Sequence, residues 1–361
     1  MKQHMTAPSH TPLRLGILGC ANIAKQFARD VAESKEVSIQ AVASRDLTKA
    51  QAFAQSFRLA SAHGSYEALL ADQGLDAVYI PLPNSLHAEW AIRAMQAGKH
   101  VLCEKPLALN LTEVKRMFEV ARQHNVMLLE AYPYWFQPQT RDLLACLSHD
   151  KIGNIRSVQA SFGFTVGNTD TNIRMKPDLG GGALLDAGSY PLSLIRLVMG
   201  CAPERVMAHA TWAATGVDIS MTATLFYADG RRAQMSCAMD TANHRHATIV
   251  GSHGTVETEY LNHTSDSHIH PWGYLPSQLR VRQGIANHIA FEEIHSASGS
   301  GFRFAAEAFA QVVRERDMAA IERAAAASHD IAATLDAIQT SAKTGQILTL
   351  HLSAPVHATS A

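Results

Sequence analysis

The sequence predicts an α/β fold in two parts. Residues 12–132 read as a doubly wound parallel sheet, and residues 133–361 as an α+β domain built on a large, mainly antiparallel open sheet. Three observations predict this. Up to Ala131, short apolar runs alternate with amphipathic helical segments, which is the rhythm of βαβ units. From about Pro133 the apolar period drops to two over long stretches, the pattern of strands with one covered face. Residues 302–316 and 319–344 return to helical spacing, as expected of helices that cover a sheet.

Composition fits two domains and narrows the partners. The 361 residues are 47% apolar and 17% charged, and 31 basic against 32 acidic side chains leave a formal charge of −1. That balance gives no bulk electrostatic reason to bind nucleic acid or a membrane. The five cysteines (Cys20, Cys103, Cys146, Cys201 and Cys237) are odd in number and contain no Cys-x-x-Cys pair. Reduced thiols and a cytoplasmic address are expected. Residues 1–12 lack the apolar core of a signal peptide, and no apolar run reaches membrane-spanning length.

The first strand, residues 13–18, leads directly into Gly19-Cys20-Ala21-Asn22-Ile23-Ala24, after which Ile23, Phe27 and Val31 recur at helical spacing. Strand, tight turn and helix are what a dinucleotide fingerprint requires, because pyrophosphate needs close backbone approach and the N–H groups of a helix start. Here Ala21 and Ala24 replace the second and third glycines, so the motif alone reads equally as a plain βα turn. The second strand, 38–43, ends at Ser44-Arg45-Asp46. An acidic residue there would accept hydrogen bonds from the ribose 2′-OH, whereas arginine accommodates a 2′-phosphate. Asp46 suits a helix N-cap, so Ser44 and Arg45 favour NADP, with NAD as the alternative.

Residues 76–80 form a further strand closed by Pro81-Leu82-Pro83-Asn84, and 86–98 form a helix. The run 100–105 ends abruptly on Glu104, Lys105 and Pro106, placing a carboxylate and an ammonium at the carboxyl end of a buried strand. In open α/β sheets that edge is where ligands bind. Asn110 with Glu113 is a capping-box signature for the next helix, and 126–131 is the last strand of this half.

In the second half, alternating apolar positions mark strands around 158–164, 206–212, 219–227 and 233–239, with a turn at Asp229-Gly230, and further strands at 246–250 and 255–260. Helices at 185–200, 302–316 and 319–344 are expected to cover this sheet. Asp186 and Tyr190 lie four apart and share a face if the helix has begun by Asp186. By themselves they read as an N-cap aspartate and a packed tyrosine, and the Glu104-Lys105-Pro106 run turns them into catalytic candidates. His263, His268 and His270 lack a convincing ligand spacing, so residues 263–276 are expected to be a loop and no metal site is expected.

Gly16-Ile17-Leu18-Gly19-Cys20-Ala21-Asn22-Ile23-Ala24, Pro81-x-Pro83-Asn84-x-x-His87 and Gly98-Lys99-His100-Val101-Leu102-Cys103-Glu104-Lys105-Pro106 together resemble the glucose-fructose oxidoreductase and inositol dehydrogenase family (Gfo/Idh/MocA). The likeness continues through Gly180-Gly181-Gly182-Ala183-Leu184-Leu185-Asp186-Ala187-Gly188-Ser189-Tyr190 and covers nearly the whole chain. It implies a Rossmann domain whose cofactor contacts come from Gly19, Ala21, Asn22, Ile23, Ser44, Arg45, Pro81, Asn84, His87 and Glu104. It also implies catalysis by Lys105, Tyr190 and Asp186.

Many members carry histidine where this chain has Tyr190, and tyrosine is similar to the branch of NADP-dependent xylose dehydrogenase and dimeric dihydrodiol dehydrogenase. Trp135 stands where those relatives usually have arginine, and reads as a stacking wall for a sugar ring or as core. The resemblance implies an NADP- or NAD-dependent oxidoreductase that moves a hydride between nicotinamide and a carbinol or carbonyl carbon of a sugar, polyol or related ring. A homo-oligomer joined through the C-terminal sheet is implied as well. The competing readings are an NAD-retaining redox glycosidase or lyase, and a non-catalytic nucleotide-sensing regulator.

Overall fold

A computed structural model of the chain describes residues 11–148, 151–259, 264–266, 273–275 and 278–350. The stretch holding His263, His268 and His270 lies largely outside the described residues, and those three histidines do so entirely.

The first part runs β1 (Leu13–Leu18), α1 (Asn22–Val31), β2 (Val37–Ala43), α2 (Leu47–Phe57), β3 (Ser61–His63), α3 (Tyr66–Leu70), β4 (Ala77–Ile80), α4 (His87–Gln96), β5 (His100–Glu104), α5 (Leu111–Gln123) and β6 (Leu128–Ala131). Its six strands are all parallel, in the order β3-β2-β1-β4-β5-β6. The order reverses at β1, so the crevice between β1 and β4 opens at the carboxyl edge, where doubly wound sheets bind ligands. Neither β3 nor α3 is visible in the periodicity. Asp46 caps α2 by accepting from the Lys49 N–H, and Asn110 caps α5 through the Glu113 N–H, both as the sequence suggests.

The second part continues with α6 (Pro138–Ser148), β7 (Ile155–Thr165), α7 (Ser189–Met199), β8 (Arg205–Trp212), β9 (Asp218–Phe226), β10 (Arg232–Ala238), β11 (Asp240–Gly251) and β12 (Gly254–Glu259). A small ribbon, β13 (Ser265–Asp266) with β14 (Gly273–Tyr274), precedes β15 (Gln278–Gln283) and β16 (Glu292–Ile294). Helices α8 (Gly301–Glu315) and α9 (Met318–Thr344) and a final β17 (Leu348–Thr349) close the described chain. Among the described residues, nine strands form one open sheet, β16-β15-β12-β11-β7-β10-β9-β8-β17, in which only β7 and β10 pair in parallel.

Three apolar layers hold these parts together. Trp90, Met95, Val114 and Phe118 of α4 and α5 cover one face of the parallel sheet. On the other face, Leu15, Ile17, Phe27 and Tyr79 pack against Phe302 and Phe309 of α8. The expectation that α8 covers the antiparallel sheet is therefore corrected. Its amphipathic face is real, but the surface it fits is the N-terminal sheet. Helix α9 joins all three layers, through Ile321, through Ala325 and Ala332, and through Ile331, Leu335 and Ile338 on the large sheet. Among the described residues, no helix is long and apolar enough to cross a membrane.

Candidate active site

The β1–α1 turn is built for close backbone approach. Gly19 has φ +107, a conformation that L side chains rarely adopt. The following helix begins with Ala21 at its N-cap, which supplies no capping side chain. The first-turn N–H groups of α1 are thus left for an external acceptor, and a pyrophosphate fits that donor set. Ser44 and the exposed Arg45 lie at the end of β2. The Tyr66 phenol, packed edge-on against Trp90, lies near enough to Arg45 for that charge to pull its pKa down, although burial wins and raises it. Pro81 and Asn84 follow β4, and Glu104 and Lys105 end β5. These residues therefore share one edge of the sheet.

His87 departs from the expectation that it lines the cofactor. Its imidazole is fully buried behind the turns, with Nδ1 2.9 Å from the Pro106 carbonyl oxygen and Nε2 2.8 Å from that of Leu82. It ties the turn after β4 to the turn after β5 rather than facing the crevice. Asn84 likewise reaches across, donating from Nδ2 to the Gly180 carbonyl at 2.8 Å and linking the nucleotide edge to the second part.

Lys105 is the centre of the arrangement. Its Nζ donates to the Asp186 carbonyl oxygen at 2.7 Å and to Asp186 Oδ1 at 3.3 Å, and it lies 4.6 Å from the centre of the Tyr190 ring. Asp186 belongs to a widened, π-type turn at Leu184–Gly188 that runs into α7. Such turns recur at functional sites. In π spacing the Asp186 carbonyl would look to the N–H of residue 191, and Pro191 has none. The ammonium donates to that carbonyl instead.

Burial by itself would raise the Asp186 carboxyl. The charges of Lys105 and Arg174, with their hydrogen bonds, reverse that and hold it below the ordinary range. Tyr190 is walled by Tyr132, Tyr134 and Phe162 at ring separations of 5.8, 6.3 and 5.3 Å. Trp135 joins this wall 4.7 Å from Tyr132 and donates its indole N–H to the Tyr134 hydroxyl. Its polar edge is thus committed within the aromatic wall.

Two family models match the chain. One, described as an oxidoreductase family with an NAD-binding Rossmann fold, covers residues 13–132, and the GFO/IDH/MocA C-terminal domain covers residues 140–257. The chain belongs to the Gfo/Idh/MocA oxidoreductase family. It is 35% identical over 339 residues to a D-xylose 1-dehydrogenase (NADP(+)) of Haloferax volcanii, covering 94% of this chain and all of that one. A trans-1,2-dihydrobenzene-1,2-diol dehydrogenase of Danio rerio is 32% identical over 92% of this chain and 96% of its own. A 3-ketoreductase from Actinomadura kijaniata, KijD10, solved with NADP and TDP-benzene, superposes with a TM-score of 0.82 at 31% identity, covering 91% of this chain and 98% of that one.

Within this Gfo/Idh/MocA site, sequence reasoning missed two charged groups. Glu130, on β6 beside Cys103 of β5, is buried and accepts from the Leu107 N–H at 2.9 Å and from the Ser328 hydroxyl of α9 at 2.5 Å. Burial pushes its carboxyl up to about 7, against those hydrogen bonds and the charge of Lys105. Arg174 places Nε 2.6 Å from Asp186 Oδ2. The only signal for Glu130 was a lone acid ending an apolar strand, and Arg174 lies in a stretch without periodicity. Glu104, by contrast, accepts from the Tyr79 hydroxyl at 2.6 Å and from the Lys105 N–H at 3.3 Å, and burial raises its pKa.

Proposed function

We propose that this Gfo/Idh/MocA member is an NADP-dependent oxidoreductase acting on CH–OH groups of a sugar or related polyhydroxylated ring, with Lys105 and Tyr190 handling the proton. The observation that carries the reading is the Lys105 ammonium, held by Asp186 over the Tyr190 ring at the nucleotide edge. The xylose dehydrogenase, dihydrodiol dehydrogenase and ketoreductase relatives support the substrate class and NADP. Arg45, at the end of β2, suits a 2′-phosphate.

When bound, the nicotinamide supplies the hydride acceptor or donor. The chain's own groups manage the oxygen. An ammonium carries three N–H donors. Lys105 spends two on Asp186, which leaves one for the reacting oxygen as alkoxide character develops. Lys105 stands over the Tyr190 ring, so its positive charge lies beside the phenol. General acid–base assistance of this kind is worth about 10²–10⁴-fold in rate. The aromatic wall excludes water from the Tyr190 side.

The test is a spectrophotometric screen of sugars, polyols and trans-dihydrodiols with NAD and NADP separately, on wild type and Lys105→Met. Wild-type turnover with NADP, lost in Lys105→Met while NADP binding persists, is expected. Undiminished turnover in the variant would sink the assignment. Nucleotide retained through purification, without net reduction of added NADP, would favour the redox-glycosidase alternative.

The oligomer's partner is a second copy of this chain, meeting the open face of the nine-stranded sheet. That face presents Gln159, Thr222, Thr224, Gln234 and Ser236 with exposed Met207, and among the described residues its centre holds no Lys, Arg, Asp or Glu. Depletion of charge at the centre is characteristic of protein interfaces.

A further inference from the structure

We propose that Arg174 is a positioning residue for Lys105, acting through Asp186: it occupies one carboxylate oxygen so that the Lys105 charge stays available to the reacting oxygen. The proposal rests on the oxidoreductase reading and adds a residue to it. Lys105 and Arg174 divide the Asp186 carboxylate, Oδ1 facing the ammonium at 3.3 Å and Oδ2 facing the guanidinium at 2.6 Å. Two cations share one anion. Without Arg174 the carboxylate would pair one-to-one with Lys105 and cancel its charge. With Arg174 in place, a net positive charge remains beside the substrate oxygen.

The segment around Arg174 is fixed at both ends of the residue. Its N–H donates to the Asn172 side chain at 3.1 Å, and its carbonyl accepts from the Gly182 N–H at 2.9 Å. Gly181 presses on the same carbonyl, where a Cβ has no room. The guanidinium lies 5.5 Å from the centre of the Phe164 ring, a cation–π contact that sets its direction. The Asp186 charge reaches Glu104 on β5 and the Cys237 thiol on β10, and adds to the burial that raises both of their pKa values. The two cations are what keep it ionised.

Arg174→Ala, Arg174→Gln and Arg174→Lys are compared with wild type by pH profiles of kcat, by KM for NADP, and by a ¹³C-carboxyl titration of the apo protein with Asp186→Asn as the assignment control. In Arg174→Ala, kcat falls roughly ten-fold at neutral pH and the acid limb moves up by about one pH unit, the size expected for losing one adjacent opposite charge. KM for NADP stays unchanged. Arg174→Lys recovers much of the loss, and Arg174→Gln, which donates a hydrogen bond without charge, does not.

An acid limb that stays in place, or Arg174→Gln matching wild type, overturns the proposal, and the Lys and Gln variants keep that comparison available if the Ala variant folds poorly. The apo titration separates two failures. If the Asp186 resonance moves up in Arg174→Ala while wild type turns over no substrate, the oxidoreductase reading has failed and the coupling stands. If the resonance does not move, the coupling has failed.

Discussion

Arg45 shows how one side chain can carry coenzyme choice. It is exposed at the end of β2, where a dinucleotide's adenosine ribose comes to rest in doubly wound folds, and the carboxylate next to it, Asp46, is spent capping α2. Charge-assisted hydrogen bonds contribute about 1.5–3 kcal/mol, so Arg45→Ala should weaken NADP binding about ten- to hundred-fold. NAD binding should change little. Fluorescence or calorimetric titration with each nucleotide reads the difference, and equal losses would remove Arg45 from the 2′-phosphate. Such residues were legible because each stands where an apolar run stops, as Lys105 does after Val101, Leu102 and Cys103. His87 was not legible in the same way. Its surroundings are two carbonyls from separate turns, and nothing in the order of residues brings Leu82 and Pro106 to one imidazole.

Among the elements, β6 and α9 meet through a titrating contact. Glu130 has a folded pKa raised to about 7, whereas an unfolded glutamate titrates near 4.3. The folded state therefore holds the proton more tightly. Its contribution to stability is full below the unfolded pKa and is lost as pH rises through the folded value. Glu130→Gln should flatten the fall in stability between about pH 4.5 and 7, by an amount on the order of a few kcal/mol. Urea unfolding at pH 5 and pH 8 measures it, and an unchanged slope in the variant would contradict the assignment. Long strands and helices could be placed from periodicity because each offers many positions to one face. The three-residue β3 and five-residue α3 offer too few to show a period. For α8, amphipathicity declared a buried face without naming the surface that buries it.

At the scale of the whole molecule, the proposed active site is a seam between two sheets, with Lys105 from the parallel sheet and Asp186, Tyr190 and Arg174 from the second part. The second copy proposed on the open sheet face leads to a direct test. Gln234→Arg would set like charges near each other across a two-fold interface. Sedimentation should show wild-type dimers or larger assemblies at micromolar concentration and smaller species for the variant, with the far-UV spectrum unchanged. A monomeric wild type would dispose of the interface. The two-part organisation was readable from the change of period near Pro133, whereas the depth of the joint was not, because α9 spreads its contacts over all three apolar layers.

Helix α8 sets the order in which the chain can mature during synthesis. The last strand of the parallel sheet ends at Ala131, yet Phe302 and Phe309, which close its second face, are encoded some 170 residues later. At about 5–20 residues per second, that interval lasts roughly 10–35 s. Throughout it, Leu15, Ile17, Phe27 and Tyr79 lack the α8 side of their apolar layer. The nascent N-terminal half therefore leaves the ribosome with an unfinished, sticky surface, and chaperone demand should fall when the segment carrying Phe302 emerges.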